Sequence, residues 1–312
     1  MSQATSIIES KDLTKRYGNF TAVDKLTLTI REGEIFGLLG PNGAGKTTTI
    51  LMLLGLTEPT SGMLKVCGYD PLHEAIKVKR TVGYLPERVG FYEDLTARQN
   101  LDYTAALNGL SHAEAERKID EVLDTVGLKP KSDQLLSQFS LGMKQRLGIA
   151  DVLIKNPKVA IFDEPTSGID PEGVEQILSI ILGMAKRKMS VILSSHQLHH
   201  VQRVCSRVGI MAKGHLVAED SIENLGKATL GEGKFRIEVQ AAPITEKVVQ
   251  AIKHIKGIAS VEVIDNVLKI GSESDVRNLI ARAIIDNDSL ATGMKIEEYN
   301  LEKIYLKYVK EQ

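Results

Sequence analysis

Residues Gly40, Pro41, Asn42, Gly43, Ala44, Gly45, Lys46, Thr47 and Thr48 restrict the fold of this chain more than any other stretch. They satisfy the spacing G-x-x-x-x-G-K-[ST]. Residues 34–39, just before them, read as an apolar strand, and residues from 46 to about 56 read as a helix. Strand, glycine loop and helix in that order make a phosphate-binding loop, and the chemistry dictates the residue types. Glycines let main-chain N–H groups curl around phosphate oxygens with no Cβ in the way. The following helix turns its positive end towards the anion. The Lys46 ammonium would lie on the β- and γ-phosphates, and the Thr47 hydroxyl would ligate Mg²⁺.

A phosphate loop of this kind needs a carboxylate at the end of another strand. Val159-Ala-Ile-Phe-Asp163-Glu164 supplies one. Asp163 would meet Mg²⁺ directly or through water. Glu164, one residue on, is a candidate to orient or deprotonate an attacking water. Residues 158–163 and 190–195 read as strands with a helix over 174–188 between them. This alternation argues for a largely parallel α/β sheet with crossover helices. Residues 94 to 127 read as helical, with Ser111-His-Ala-Glu114 as a capping box.

Past about residue 231 the pattern changes. Strands are expected at 235–239, 261–264, 267–270 and 294–297, with helices at 245–255, 274–285 and 300–310. Asp265-Asn266 is a two-residue hairpin signal. The order β-α-β-β-α-β plus a tail helix suggests a small ferredoxin-like α+β domain. The expected division is residues 1–228, with a helical subdomain at about 88–155, followed by 232–312. A length of 312 residues accommodates two domains.

Composition narrows the functional classes. Lysine plus arginine number 39 and acids 40, so no general basic field invites nucleic acid. Cys67 and Cys205 are too few and too far apart for a disulfide framework or a zinc site. The first ten residues lack the basic start and apolar core of a signal peptide. The best apolar run, 177–185, is roughly half of the ~18 residues that a bilayer requires. A role at a membrane therefore needs another chain to supply the spanning helices.

Further motifs carry a family resemblance. Lys15-Arg16-Tyr17-Gly18 looks like the segment of ATP-binding-cassette (ABC) ATPases whose aromatic ring stacks on adenine. Phe139-Ser140-Leu141-Gly142-Met143-Lys144-Gln145-Arg146 resembles the ABC signature. Asp163 through Asp170 resembles the second carboxylate motif running into the family's D-loop. Ser194-Ser195-His196 resembles the switch histidine. All stand in the family's order, over roughly residues 7–226.

The resemblance implies a mixed, largely parallel sheet with an antiparallel β subdomain and a helical subdomain. It implies ATP and Mg²⁺ as ligands and two cassettes closing head to tail around two nucleotides. Ser140, Gly142 and Met143 of one copy would face the ATP held by Lys46 and Thr47 of the other. His196 would contact the γ-phosphate, Glu164 would polarise the water, and Asp170 would couple the two sites. Met143 is expected to begin a helix whose N-terminus binds the anion. His199 and His200 read as helix-surface residues.

Two departures from the family pattern stand out. Leu141 and Met143 are signature variants associated with ABC-2-type exporters. Glu87 stands where the family's Q-loop carries glutamine; its carboxylate can still ligate Mg²⁺ or water. With no spanning helix, the chain resembles a transporter subunit whose permease is a separate polypeptide, peripheral on the cytoplasmic face of the membrane. The alternative is a non-transport ABC ATPase acting on ribosomes or nucleic acid. Nothing in the sequence identifies a cargo.

Overall fold

A computed structural model describes residues 5–230, 235–298 and 301–310. The chain divides into two compact units, one ending at Glu219 and the other starting at Asp220.

In the first unit, strands β1 (Ser6–Tyr17) and β2 (Phe20–Arg31) form a hairpin. Strand β3 (Ile35–Leu39) enters the phosphate loop, and helix α1 (Lys46–Leu53) leaves it. Strand β4 (Ser61–Val66), helix α2 (Ala75–Thr81) and strand β5 (Val82–Leu85) follow. Next come three helices, α3 (Ala97–Leu107), α4 (His112–Thr125) and α5 (Leu141–Ile154). Then β6 (Val159–Asp163), α6 (Pro171–Lys186), β7 (Ser190–Ser195) and α7 (Leu198–Val204) alternate. Strands β8 (Arg207–Ala212) and β9 (His215–Ser221) end the series.

The sheets follow from the residue patterns. Every residue of β3, β6 and β7 is buried, which suits strands covered on both faces of a parallel sheet. They lie in a six-stranded sheet of order β5-β6-β7-β3-β8-β9, in which the pairs β5–β6, β6–β7, β7–β3 and β3–β8 are parallel. The C-terminal ends of five adjacent strands therefore share one edge. In β2, Leu26, Leu28 and Ile30 are buried while Thr27, Thr29 and Arg31 are exposed, the period-two pattern of a half-buried strand. This strand joins a three-stranded antiparallel sheet of order β2-β1-β4. Its apolar side merges with Phe36, Leu38, Ile50 and Ile161 into one core.

The helical stretch is punctuated by caps. Thr96 and Gln99 form a capping box at the start of α3. At the start of α4, Glu114 accepts from the Ser111 main-chain N–H at 2.9 Å. Asp170 caps α6, with Pro171 as the first helical residue. This helix therefore starts three residues before the expected 174.

The second unit opens with helix α8 (Ile222–Leu230). Strand β10 (Phe235–Ala242), helix α9 (Glu246–Lys253), and strands β11 (Ile258–Ile264) and β12 (Val267–Ser272) come next. Helix α10 (Arg277–Ile285), strand β13 (Leu290–Glu298) and helix α11 (Leu301–Lys310) complete it. Its antiparallel sheet has the order β11-β12-β10-β13. The Asp265-Asn266 turn holds both residues at positive φ, 50° and 60°, as a type I′ hairpin requires. Strand β13 begins four residues earlier than expected, because pairing with β10 continues to Ala242 opposite Leu290. One face of the sheet buries Ile237, Val239, Leu268 and Ile270 against Val248, Ile252, Ile280 and Ile284.

Candidate nucleotide site

The shared edge of the parallel sheet carries the expected chemistry. A cavity of about 330 Å³ is lined by Pro41, Asn42, Gly43, Gly45, Lys46, Thr47 and Thr48 of the loop. Glu87 lies beyond the end of β5, Asp163 and Glu164 at the end of β6, and His196 just past β7; all four also line it. Gly40 and Ala44 of the same loop, also expected at the site, do not line the cavity. The Gly40 carbonyl accepts from Lys46 Nζ at 2.6 Å, and Ala44 is buried.

Glycine is required at position 45. Its φ is +101°, and a Cβ there would lie 2.5 Å from the Ala22 carbonyl oxygen. The Lys46 ammonium also donates to the Pro41 carbonyl at 3.2 Å. Burial pulls its pKa below the ordinary lysine value, while Glu164, Asp163 and Glu87 pull the other way. Lys46 therefore faces three carboxylates, two from the end of β6 and one from beyond β5. Thr47 Oγ1 lies 3.3 Å from Asp163 Oδ2. Burial, with Asp163 nearby, also pushes the Tyr84 phenol up to about 12, so it is neutral beside the site.

Glu164 follows β6 in a left-handed conformation, φ 50°. Its main-chain N–H donates to the Ser194 carbonyl at 2.9 Å, fixing the start of this turn on β7. Its side chain is about nine-tenths buried, and Oε2 lies 2.9 Å from His196 Nδ1. This contact lies outside hydrogen-bonding geometry, so Oε2 forms no hydrogen bond in the fold.

The signature is elsewhere on the chain. Helix α5 starts at Leu141, not at the expected Met143, because Ser140 is its N-cap and accepts from Met143 N–H at 3.3 Å. Ser140 and Leu141 are exposed. Ser140, Gly142 and Met143 lie outside the cavity lining. A Cβ on Gly142 would come within 3.3 Å of Ile169 Cγ2 and 3.8 Å of Asp170 Oδ1, so the signature helix abuts the D-loop of its own chain. Asp170 Oδ2 accepts from Gly173 N–H at 3.1 Å.

Tyr17 falls just outside the lining and is half-exposed; Lys15 Nζ sits over its ring at 4.8 Å. The aromatic residue that does line the cavity is Phe20, with Ala22 beside it. The sequence carried a signal for Phe20, since a two-residue loop makes Tyr17 and Phe20 cross-strand partners. His200, expected on the surface, is partly buried, with Nδ1 3.2 Å from Thr166 Oγ1.

Comparison with known proteins agrees with this geometry. Residues 23–167 match the family model described as "ABC transporter". The bacitracin transport ATP-binding protein BcrA of Bacillus licheniformis is 37% identical over 98% of this chain and 98% of its own length. The chain belongs to the ABC transporter ATP-binding proteins. The linearmycin resistance ATP-binding protein LnrL of Bacillus subtilis is similar too, at 35% identity over 96% of this chain and 97% of its own. Among solved structures, an ATP-binding subunit of an ABC transporter superposes with a TM-score of 0.65 and 31% identity, over 71% of this chain and 92% of that one. This ABC protein accordingly binds and hydrolyses ATP as the ATP-binding subunit of a transporter. The relatives match along nearly the full length, second unit included, and do not favour a ribosome- or nucleic-acid-acting ATPase.

Proposed function

We propose that two copies of this chain close head to tail around two ATP molecules and thereby drive export through a separate membrane permease. One observation carries the reading. The cavity holds Lys46, Thr47, Asp163, Glu164 and His196, while Ser140, exposed at the N-terminus of α5, and Gly142 and Met143 after it lie outside the cavity lining. A second copy, inverted, can bring the N-terminus of its α5 to the first copy's phosphates, where main-chain N–H groups meet the charge.

Within each site the residues divide the work. The loop from Gly40 to Thr48 and the Lys46 ammonium hold the phosphates. The hydroxyl of Thr47 and the carboxylate of Asp163 are hard oxygen donors 3.3 Å apart, a set that suits Mg²⁺, with Glu87 as a further oxygen donor. Bound Mg²⁺ would neutralise charge on the β- and γ-phosphates. Glu164, buried with an acceptor oxygen free of hydrogen bonds, orients or deprotonates water for attack on the γ-phosphorus. His196, with Nδ1 2.9 Å from that carboxylate, contacts the γ-phosphate. Asp170, beside Gly142, couples the two sites, and an aromatic side chain at the hairpin, Tyr17 or Phe20, stacks on adenine. Loss of the γ-phosphate removes the contacts that bridge the copies, so the pair reopens.

No helix among the described residues is long and apolar enough to cross a membrane. The permease is read as a second polypeptide with this chain peripheral on its cytoplasmic side, as the relatives, named as ATP-binding proteins of transport systems, suggest. The names of the relatives suggest an antibiotic as cargo. The second unit is read as a ferredoxin-like domain, supported by its β-α-β-β-α-β order and by a sheet with the first strand beside the third and fourth. The division into a cassette over 1–228 and an accessory domain over 232–312 belongs to this proposal.

The test is Glu164→Gln. The variant should bind ATP, hydrolyse it about 10²–10⁴-fold more slowly, and elute as an ATP-dependent dimer in size exclusion with light scattering. Adding Gly142→Asp should return it to a monomer. Wild-type turnover in Glu164→Gln, or a dimer indifferent to Gly142→Asp, would overturn the reading.

A further inference from the structure

The turn after Glu164 and the turn after His196 are joined by a side-chain strap that the nucleotide chemistry does not itself require. Thr166, two residues past Glu164, is only 3% exposed. Its hydroxyl faces Gln197 Oε1 at 3.4 Å and His200 Nδ1 at 3.2 Å. A hydroxyl has one proton. Directed at Gln197, it leaves the Thr166 oxygen to accept from His200 Nδ1–H. Gln197 is the residue after His196, and its N–H donates to Ser195 Oγ at 2.9 Å. The main-chain N–H of His200 donates to the Gln197 carbonyl at 3.1 Å. His200 thus sits one helical turn past the switch histidine and reaches back to the strand-end turn that carries Glu164.

A further attachment of α7, to α6, is weaker. Arg203 grips Glu175 of α6 with two nitrogens, one at 2.6 Å, but both side chains are largely exposed. Exposed pairs of this kind contribute little. Burial pulls the His200 pKa below the usual histidine range, reinforced by His199 and Arg203 and opposed by Glu175. The ring is therefore neutral at neutral pH and can hold one N–H towards Thr166.

We infer that His200 is a positioning residue: through Thr166 it fixes the turn of His196 against the turn of Glu164, and so sets the 2.9 Å approach of the two groups. This rests on the roles proposed above for Glu164 and His196. His200 touches neither nucleotide nor water. Its effect falls on the hydrolytic step, because none of its contacts reaches the phosphate loop.

The experiment compares His200→Ala, His200→Asn and Thr166→Val in the full chain, with Glu164→Gln as the reference. Single-turnover ATP hydrolysis and the Kd for a fluorescent ATP analogue are measured for each, with Tm as a check on folding. His200→Ala and Thr166→Val should each lower the hydrolysis rate about 10-fold, on the scale that a small displacement of a catalytic group costs. Nucleotide Kd should stay within about twofold, since the loop is untouched. The two substitutions combined should be no worse than either alone. His200→Asn places an amide N–H where Nδ1–H was and should recover most of the rate. Wild-type hydrolysis in both His200→Ala and Thr166→Val overturns the inference. So does rate loss accompanied by equal loss of affinity and lowered Tm, or an Asn variant no better than Ala at wild-type Tm. If Glu164→Gln itself hydrolyses ATP normally, the catalytic assignment fails instead, which separates the two outcomes.

Discussion

Lys46→Met tests how the phosphate loop binds its ligand. Lys46 is 6% exposed, and its ammonium donates to Gly40 and Pro41 carbonyls at 2.6 and 3.2 Å. Methionine keeps most of the buried stem and removes only the charge. A unit charge about 4 Å from a phosphate is worth about 4 kcal/mol at an effective dielectric of about 20. Asp163, Glu164 and Glu87 around the lysine offset part of this attraction. Discounting by about half leaves about 2 kcal/mol, or about 30-fold in Kd at about 1.4 kcal/mol per decade. The assay is isothermal titration of ATP, ADP and AMP into both proteins with Mg²⁺ present. Because the ammonium serves the outer phosphates, the loss should be largest for ATP, smaller for ADP and near zero for AMP. An equal loss for all three nucleotides would mean that the loop had rearranged, and the charge argument would be refuted.

Other perturbations follow from the same geometry. Phe20→Ala should weaken ATP binding by about 1–3 kcal/mol, the range for base–aromatic stacking, and Tyr17→Ala by less. Titration of a triphosphate lacking a base, which should not distinguish the variants, is the control. Ser140→Ala removes the α5 cap and should cost about 1 kcal/mol in chemical denaturation. Ser140→Asp should keep that stability but abolish ATP-dependent dimerisation, because its charge would face phosphate; a dimer in light scattering refutes the second-copy site. His200 has a folded pKa below its unfolded value, so the unfolded chain binds more protons in that window. Stability should fall as pH drops below about 6.5. The decline in Tm should be shallower in His200→Asn, and identical profiles would contradict the burial of the ring.

The sequence revealed the central site because its parts are local. A glycine loop between strand and helix, and an apolar strand ending in Asp163, declare themselves within ten residues. The type I′ turn at Asp265-Asn266 was legible for the same reason. The presence of Phe20 in the cavity lining is not legible locally, because it follows from pairing with Tyr17 across a hairpin, and either aromatic satisfies the local pattern. Helix α5 starts two residues before the expected Met143, just after the strong N-cap residue Ser140. The burial of His200 had no local signal. Its partner Thr166 lies 34 residues away and reaches it only through the pairing of β6 with β7.

An ammonium has three protons, and Lys46 gives two of them to the carbonyls of Gly40 and Pro41. One remains for a phosphate oxygen. On the proposed reading the same group closes the loop on itself and meets the nucleotide, and only a third of its bonding depends on which nucleotide is there. When ATP becomes ADP, the two inward bonds have no reason to change. On that reading, product leaves a loop still held by the Gly40 and Pro41 contacts of Lys46. The ordering cost of the cradle is met when the chain folds and need not recur in each catalytic cycle.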